Sequence, residues 1–355
     1  MTTPLVSSVS QLPIVTSVQV GDWPMGTTSQ LQVQLVGNGL GQIIHVPVIV
    51  VRGSMPGPTL GVTAAIHGDE LNGIGLIHQL ISELDPTKLA GTVVAVPVVN
   101  VPGYLRLERG FYGQDLNRIM PGREKGTSPE VYNHRFLDRV ASSFDYLVDL
   151  HTASAGRVNS FYVRANLEDE VTAWMARAQY PDIILHNEAK DGTFRGAMMD
   201  AGVPSITVEL GNPSRLQRRV VRKGTEGLLN IMGNLQMIEH EMKEQRKRPP
   251  VVCTESSWLH TTSGGVLRVL PEIGEKVKKG AMVASVHDIY GNLVEEYLAP
   301  RSGVVIGKSV NPVNLTGSRI VHLGSVPTTK VLRQRFPHLP GRGGKQIVQA
   351  EADAT

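Results

Sequence analysis

Hydrophobic and polar residues along this chain follow two periods, one typical of β-strands and one typical of α-helices. Short runs rich in β-branched residues predict strands, and apolar residues that recur every three or four positions predict amphipathic helices. The predicted strands are 31–36, 43–51, 59–66, 92–99, 144–150 and 206–210, and the predicted helices are 71–84, 128–141, 167–178 and 213–247. Since strands alternate with helices from residue 59 onward, we expect an α/β fold whose mixed, largely parallel sheet has helices on both faces.

Two of the predicted helices carry local signals. Ser128 is a good N-cap for the helix that follows it, and Pro129 suits the first helical position because its missing N–H has no partner there anyway. The segment 213–247 predicts one long helix or two, because Gly224 and Gly227 would interrupt it.

The pattern changes near residue 245. A charged, proline-terminated stretch predicts a linker, and beyond it short β-like pieces are separated by glycines without any helical period. This last part is similar to the barrel-sandwich folds of biotinyl and lipoyl carrier domains, but no lysine lies between Lys279 and Lys308, where a carrier would need one. We therefore expect a module that shapes or covers a cleft, or that builds an oligomer, without a prosthetic group.

The chain is therefore expected to have three parts, and 355 residues exceed the usual size of one domain. Residues 1–248 would form the α/β domain, with an N-terminal β segment that extends to about residue 45. Residues 251–330 would form the small all-β domain. Residues 331–355 are rich in Gly, Arg and Ala, and predict a flexible tail.

Composition excludes several classes of protein. No apolar run reaches eighteen residues and the N-terminus lacks a signal-peptide pattern, so we expect a cytoplasmic protein without a membrane partner. The single cysteine, Cys253, excludes an internal disulfide. The net charge of +3 comes largely from the basic stretches 215–223 and 243–248, and aromatic residues make up only 5% of the chain. We therefore expect no nucleic-acid partner.

Candidate metal chemistry begins at the motif His67-Gly-Asp-Glu70, which follows the predicted strand 59–66 and precedes the predicted helix 71–84. An imidazole and a carboxylate three residues apart on such a turn can converge on one metal ion. His151 is a candidate third ligand, because it also ends a β-like run. Catalytic zinc sites use three such protein ligands and keep a fourth position open.

The chain resembles the succinylglutamate desuccinylase and aspartoacylase family, a branch of the zinc carboxypeptidase superfamily. Four motifs carry the resemblance, in the order that the family shows. They are His67-Gly-Asp-Glu70, Asp115-Leu-Asn117-Arg118 followed by Pro121-Gly122, Asp149-Leu-His151-Thr152, and Val208-Glu209-Leu-Gly211. The four motifs and the similar sequence pattern around them extend from about residue 46 to residue 241.

The resemblance implies roles for individual residues. One zinc ion per chain would be held by His67, Glu70 and His151. Asn117 and Arg118 match the pair that binds the substrate carboxylate and the region of the scissile carbonyl, and Glu209 matches the general acid/base. Arg109 matches an arginine that polarises the scissile carbonyl, although its spacing to residue 117 departs slightly from the family. Arg195 is a candidate for a further substrate-binding arginine.

Some of these residues have structural alternatives. Arg118 could instead pair with Asp115. Asp149 shares a strand face with His151, so it could orient that ligand or simply be a buried aspartate at a strand end. Glu209 is flanked by apolar residues in a predicted strand, where an unpartnered carboxylate would be costly, which favours a functional role. The remaining histidines have no converging motif, although His186 and His287 could approach a pocket.

The expected function is a zinc-dependent amidohydrolase that removes an acyl group from an N-acyl amino acid or a related small amide bearing a carboxylate. A carboxypeptidase that acts on short peptides would use the same residues, and a catalytically silent binding protein on the same fold is the alternative from another class. The expected partner is the small-molecule substrate, and the chain could also form a homo-oligomer. Neither the acyl group nor the amino acid follows from the sequence.

Overall fold

The computed structural model of the protein describes residues 12–189, 192–241, 249–337 and 339. Within these residues the chain forms nineteen strands and seven α-helices. The strands are β1 (Ile14–Val15), β2 (Thr27–Gly37), β3 (Ile43–Arg52), β4 (Met55–Ala64), β5 (Ala90–Val96), β6 (Tyr146–His151), β7 (Arg157–Asn159), β8 (Tyr162–Ala165), β9 (Ile183–His186), β10 (Ser205–Glu209), β11 (Val251–Cys253), β12 (Glu255–His260), β13 (Gly265–Val269), β14 (Lys276–Val277), β15 (Met282–His287), β16 (Leu293–Leu298), β17 (Gly303–Ser309), β18 (Val313–Asn314) and β19 (Arg319–Ser325). The helices are α1 (Asn72–Glu83), α2 (Val101–Arg106), α3 (Ser128–Arg139), α4 (Glu170–Ala178), α5 (Phe194–Asp200), α6 (Arg218–Asn234) and α7 (Thr329–Arg335).

The largest element of the fold is a ten-stranded sheet in the order β1-β2-β3-β5-β4-β6-β10-β8-β9-β11. Its centre, from β5 to β10, is parallel throughout. Antiparallel pairs join β2 to β3, β3 to β5 and β8 to β10. The expectation of a mixed, largely parallel sheet is therefore confirmed. Because β4, β6 and β10 are parallel neighbours, their carboxyl ends lie side by side at one edge.

Helices cover both faces of this sheet, as predicted. Buried side chains of α1, α4 and α6, such as Leu76, Met175 and Leu228, belong to one apolar cluster. Buried side chains of α3 and α5, such as Phe136 and Phe194, belong to a second cluster, which also contains residues of β2 and β3. Among the helices of the described residues, none combines the length and the apolar character needed to cross a bilayer.

The segment after residue 253 forms two smaller sheets. One has the order β12-β19-β17-β14, and β7 joins it by pairing with β17; the other has the order β16-β15-β13-β18. Their facing side chains form a separate apolar cluster that includes Val283 and Ile320. The two regions of the chain also interlock, because β7 adds to a sheet of the C-terminal region whereas β11 pairs with β9 in the large sheet.

The structure corrects several expectations. Thr127, not Ser128, is the N-cap of α3, and it forms a capping box with Glu130. Ser128 is therefore the first residue of the helix and not its cap. A single helix, α6, occupies 218–234 where one long helix or two were expected over 213–247, and residues 242–248 lie outside the described residues. Gly224 does not interrupt α6. Its lack of a side chain instead lets α6 pack closely against α1, since a Cβ atom there would lie 2.4 Å from a side-chain carbon of Leu76.

The limits of the predicted parts differ from the structure in two places. The large sheet ends at β11, so sheet membership changes between residues 253 and 255 rather than at the end of the linker. The expected flexible tail from residue 331 is also wrong at its start: α7 covers 329–335, and Phe336 is fully buried in the main apolar cluster. A single aromatic residue in a segment rich in charge is a weak signal in the hydrophobic pattern, so the burial of Phe336 was not predicted. Residues 340–355 lie outside the described residues.

Candidate active site

The three predicted metal ligands come from neighbouring strand ends. The loop 65–71 carries two of them and follows β4, and the third, His151, is the last residue of the adjacent strand β6. Ala65 has a left-handed conformation, with φ of 51°, which turns the chain out of the sheet before the motif. Gly68 lies so close to α2 that a Cβ atom there would be 2.0 Å from the carbonyl carbon of Gly103. The motif therefore needs glycine at this position for steric reasons.

The structure brings the predicted ligands together in a buried group that could hold a metal ion. The Nδ1 atoms of His67 and His151 lie 3.2 Å apart, and each is 2.9 Å from an oxygen of Glu70. On the far side of each ring, Nε2 faces a carboxylate: Asp149 Oδ2 lies 2.7 Å from His151, and Asp115 Oδ1 lies 3.2 Å from His67.

Those outer carboxylates determine where the protons of the two rings lie. An ionised carboxylate can only accept, so both Nε2 atoms carry a hydrogen, and in a neutral ring the Nδ1 atom then presents a lone pair. When both rings are neutral, as metal ligation requires, two nitrogen lone pairs and the oxygens of Glu70 converge with no proton between them. Such a cluster of acceptors inside a protein requires a cation, and two imidazoles with one carboxylate are ligands that zinc accepts. The residues present therefore fit a zinc ion.

The electrostatics of the group also favour positive charge. Burial would lower the pKa of His151, but the carboxylates of Asp149 and Glu70 outweigh it and hold that pKa well above its usual range. Burial would raise the pKa of Glu70, but His67 and His151 hold it well below its ordinary value. A metal ion that binds here thus replaces the positive charge that a proton would otherwise supply.

Arg109 lies beside this group. Its Nη1 donates to Glu70 Oε1 at 3.1 Å and to Ser154 Oγ at 2.9 Å, and its Nε donates to Asp115 Oδ2 at 3.0 Å. The structure therefore pairs Asp115 with Arg109, rather than with Arg118 as in the structural alternative. The sequence singled out Arg109 but did not assign Asp115 to the site, although Asp115 lies within one of the four motifs.

Glu209 occupies the end of β10, next to the candidate metal ligands. It pairs in register with His151 on one side and with Tyr162 of β8 on the other. The Tyr162 hydroxyl donates to Oε1 at 3.1 Å, Asn159 Nδ2 donates to Oε2 at 3.2 Å, and Arg164 Nε lies 3.6 Å from Oε1. This carboxylate is thus held by three polar groups, which explains how an apolar strand can end in a glutamate.

The predicted substrate-binding residues line the same cavity as the metal group. Asn117 Oδ1 accepts a hydrogen bond of 2.7 Å from the backbone N–H of Phe194, which fixes the orientation of the amide. Among the residues that the structure describes, Arg118 donates only to the carbonyl oxygen of Asn117, at 2.8 Å. Arg195 is buried and donates to the carbonyl oxygen and the side-chain oxygen of Asn187. All three predicted residues therefore reach the site.

Other lining residues could not be identified from the sequence. Trp258 and Arg319 belong to β12 and β19 of the C-terminal region, and Arg157 belongs to the short strand β7. No motif marks them, because their position depends on how the two regions pack. The polar partners of Glu209 on β7 and β8 were missed for the same reason: an antiparallel strand beside β10 is not visible in the pattern.

His186 and His287, which the sequence left as histidines that could approach a pocket, do not line this cavity. His186 accepts a hydrogen bond from the backbone N–H of Leu167, and its other nitrogen faces Arg335. With Glu168 and Glu188 it forms a second group with metal-type spacing, but these contacts occupy both ring nitrogens. His287 is the last residue of β15, and its hydrogen-bond partners, Ser285 and the carbonyl oxygen of Gly291, belong to the same hairpin.

Comparisons with known proteins identify the family of this chain. Residues 56–235 match the model of the succinylglutamate desuccinylase/aspartoacylase catalytic domain, so the chain belongs to this family. It is 26% identical over 283 residues to the N-alpha-acetyl-L-2,4-diaminobutyric acid deacetylase of Halomonas elongata, a match that covers 75% of this chain and 81% of the relative.

Two further similarities are to proteins named as succinylglutamate desuccinylases. The succinylglutamate desuccinylase of Pseudomonas paraeruginosa is 30% identical over 189 residues, which cover 46% of this chain and 57% of the relative. The solved structure of a succinylglutamate desuccinylase/aspartoacylase from Rhodobacter sphaeroides has a TM-score of 0.74 at 23% identity, and covers 85% of this chain and 96% of that one. At this identity the structural likeness concerns the fold.

Proposed function

We propose that this protein is a zinc-dependent deacylase that hydrolyses the amide bond of an N-acyl amino acid or a related small amide with a free carboxylate. The observation that carries the proposal is the convergence of the Nδ1 atoms of His67 and His151 and the Glu70 carboxylate in one buried group. His67, Glu70 and His151 would hold one zinc ion per chain. When bound, zinc lowers the pKa of water and polarises a carbonyl oxygen.

Glu209 would act as the general acid/base. Its carboxylate would accept a proton from the attacking water at one oxygen and deliver it to the leaving nitrogen, so that the amine departs neutral. Tyr162 and Asn159 each donate a hydrogen bond to a different oxygen of Glu209 and so fix the plane of the carboxylate. Arg164 supplies positive charge beside it.

Asn117, Arg118 and Arg195 would bind and orient the substrate. The planar fork of a guanidinium matches a carboxylate in two parallel hydrogen bonds. Arg118 has N–H groups to spare, because its only hydrogen bond among the described residues goes to a backbone carbonyl. Arg109 is held against Glu70 and would stabilise negative charge that develops on the scissile carbonyl.

The family relatives support the reaction class. The curated names describe removal of an acetyl group from one amino acid derivative and of a succinyl group from another. Both reactions cleave an amide next to a carboxylate. The two substrates differ in charge, so the relatives alone leave the acyl group and the amino acid open.

The test combines metal analysis with an amine-release assay on the full chain. Wild-type protein should contain about one zinc per chain and should release amines from some N-acetyl, N-formyl or N-succinyl amino acids. His151→Ala should lose both the metal and the activity, whereas His78→Ala, which changes an exposed histidine of α1, should keep both. A full equivalent of zinc in His151→Ala would refute the ligand assignment, and hydrolysis of short peptides instead of N-acyl amino acids would favour the carboxypeptidase alternative.

A further inference from the structure

Large apolar side chains that are exposed to solvent are concentrated in the C-terminal β region. Ten of the 22 such residues in the described part of the chain lie between residues 270 and 315. Contiguous exposed apolar surface on a folded protein marks an interaction site. The strands β13, β15 and β16 and the turn between the last two carry six of the ten, namely Leu270, Met282, Ile289, Tyr290, Leu293 and Leu298.

The outward face of the sheet β16-β15-β13-β18 has a charged row across its middle. Ser285 of β15 lies directly opposite Arg268 of β13 on one side and Glu296 of β16 on the other. The next pair along, Leu267 and Val286, belongs to the apolar cluster between the two small sheets, so the charged row points away from that cluster.

The two charges of this row have no partner within the chain. Arg268 and Glu296 are both exposed, and among the described residues neither side chain forms a hydrogen bond or an ion pair. They lie on strands that are two spacings apart, about 10 Å, which is too far for an ion pair. An opposite charge from another molecule can therefore reach each of them.

Largely apolar rows lie on both sides of the charged row. Their side chains share its outward face because the strand registers place them opposite one another or two positions from a member of that row. The N–H of Leu270 donates to the carbonyl oxygen of Val283 at 2.9 Å, which places it beside Met282. One row consists of Val266, His287 and Leu293, and the other consists of Leu270, Met282 and Leu298.

This arrangement makes the face complementary to itself. A two-fold axis that runs along β15 in the plane of contact exchanges the positions of β13 and β16. Arg268 of one copy then lies against Glu296 of the other, and the same contact forms a second time. The apolar rows are matched in the same way, so that Val266 meets Leu293 and Leu270 meets Leu298. Two sheets that pack face to face with nearly aligned strands have this geometry.

The turn between β15 and β16 adds apolar surface at one end of the face. Ile289 is 82% exposed and Tyr290 is 89% exposed. The turn is nevertheless fixed, because Asp288 Oδ1 accepts hydrogen bonds from the backbone N–H groups of Tyr290 at 2.9 Å and of Asn292 at 2.8 Å. Side chains on a fixed turn lose little conformational freedom on binding, which favours association.

We infer that the outward face of the sheet β16-β15-β13-β18 binds a second copy of this chain about this axis, to form a symmetric dimer. The charges of the middle row identify the partner, because each copy supplies the arginine and the glutamate that the other lacks. None of the residues that line the cavity belongs to these four strands, and Trp258 and Arg319 lie on the other sheet of the C-terminal region. The inference is therefore independent of the proposed function.

Charge reversals on the full-length chain, followed by sedimentation velocity over a range of micromolar concentrations, test the inference. The wild type should sediment as a dimer. Glu296→Arg places two arginines together at both contacts and Arg268→Glu places two glutamates together, so each should weaken dimerisation by tenfold or more. Glu255→Arg is the matched control, because it makes the same change at an exposed position of β12 in the other sheet and should leave the dimer intact.

An equimolar mixture of the two single variants gives the decisive result. In a mixed dimer, the introduced glutamate at position 268 meets the introduced arginine at position 296, and the native arginine and glutamate meet at the other contact. The mixture should therefore dimerise about as tightly as the wild type, which also shows that both variants are folded. A monomeric wild type would overturn the inference and leave the face to a different protein. Single variants that dimerise like the wild type, or a mixture that stays monomeric, would overturn it as well.

Discussion

The contact between Asp149 and His151 makes a quantitative prediction about metal affinity. Asp149 Oδ2 lies 2.7 Å from His151 Nε2, and Asp149 Oδ1 accepts a hydrogen bond of 2.8 Å from Thr63 Oγ1. Both carboxylate oxygens are thus used, in a fully buried setting. Asp149→Asn removes the charge but keeps one oxygen acceptor, and the amide N–H₂ can donate to the Thr63 hydroxyl, which accepts as well as donates.

The expected loss follows from the type of hydrogen bond. A hydrogen bond to a charged group contributes about 1.5–3 kcal/mol, and changes to groups that orient a metal-bound histidine cost roughly 10–100-fold in metal affinity. Because the asparagine can keep the geometry, we expect the lower end, a zinc affinity about tenfold weaker. The carboxylate also raises the pKa of His151, so its loss reduces the electron density that the ring offers to a metal.

Competition with a chromophoric zinc chelator at fixed pH measures this change directly. Asp145→Asn serves as the control, because Asp145 lies just before β6, is exposed and accepts from the backbone N–H of Thr59 outside the site. The control should bind zinc as the wild type does. An Asp149→Asn protein that binds zinc within a factor of two of the wild type would refute the orienting role and leave Asp149 as a buried structural aspartate.

Three further predictions concern single residues. Glu209→Gln keeps the shape of the side chain but removes the base, so kcat should fall by roughly 10²–10⁴-fold at unchanged zinc content, and near wild-type kcat would mean that another group moves the proton. Arg118→Lys keeps the charge but loses the planar fork, so kcat/KM should fall by roughly tenfold. If the wild type hydrolyses esters of the substrate carboxylate as fast as the free acid, Arg118 does not bind that carboxylate. Burial raises the pKa of the Cys253 thiol to about 12, so native protein at pH 8 should resist alkylation by iodoacetamide, and rapid labelling detected by mass spectrometry would contradict the buried position.

The sequence was sufficient to predict a residue's role wherever that role depends on the strand that carries the residue. The motif around His67 and Glu70 follows a buried run and precedes a helical period, and β4 and α1 lie close to those bounds. The apolar flanks of Glu209 marked it as unusual before any partner was known, and three polar groups hold it in the structure. A parallel sheet brings such strand ends to one edge, so the grouping also follows from the predicted class of fold.

The sequence was insufficient where a role depends on packing between distant segments. Asn159 and Tyr162 donate to Glu209 only because β8 runs antiparallel to β10, a pairing that no local pattern specifies. Gly224 was interpreted as a helix break, although it permits α6 to approach α1. Phe336 was placed in a tail because the surrounding residues are polar, and its burial depends on a partner surface more than a hundred residues earlier in the chain.

The division of the site between two regions has a physical consequence for how substrate choice can change. The candidate metal ligands are buried at the ends of central strands, where each contact is shared with a neighbouring strand and a substitution disturbs several at once. Trp258 and Arg319 lie on β12 and β19, and among the described residues no hydrogen bond joins either side chain to His67, Glu70 or His151. Substitutions on these two strands can therefore alter the charge that the cavity presents to a substrate while the metal group keeps its geometry.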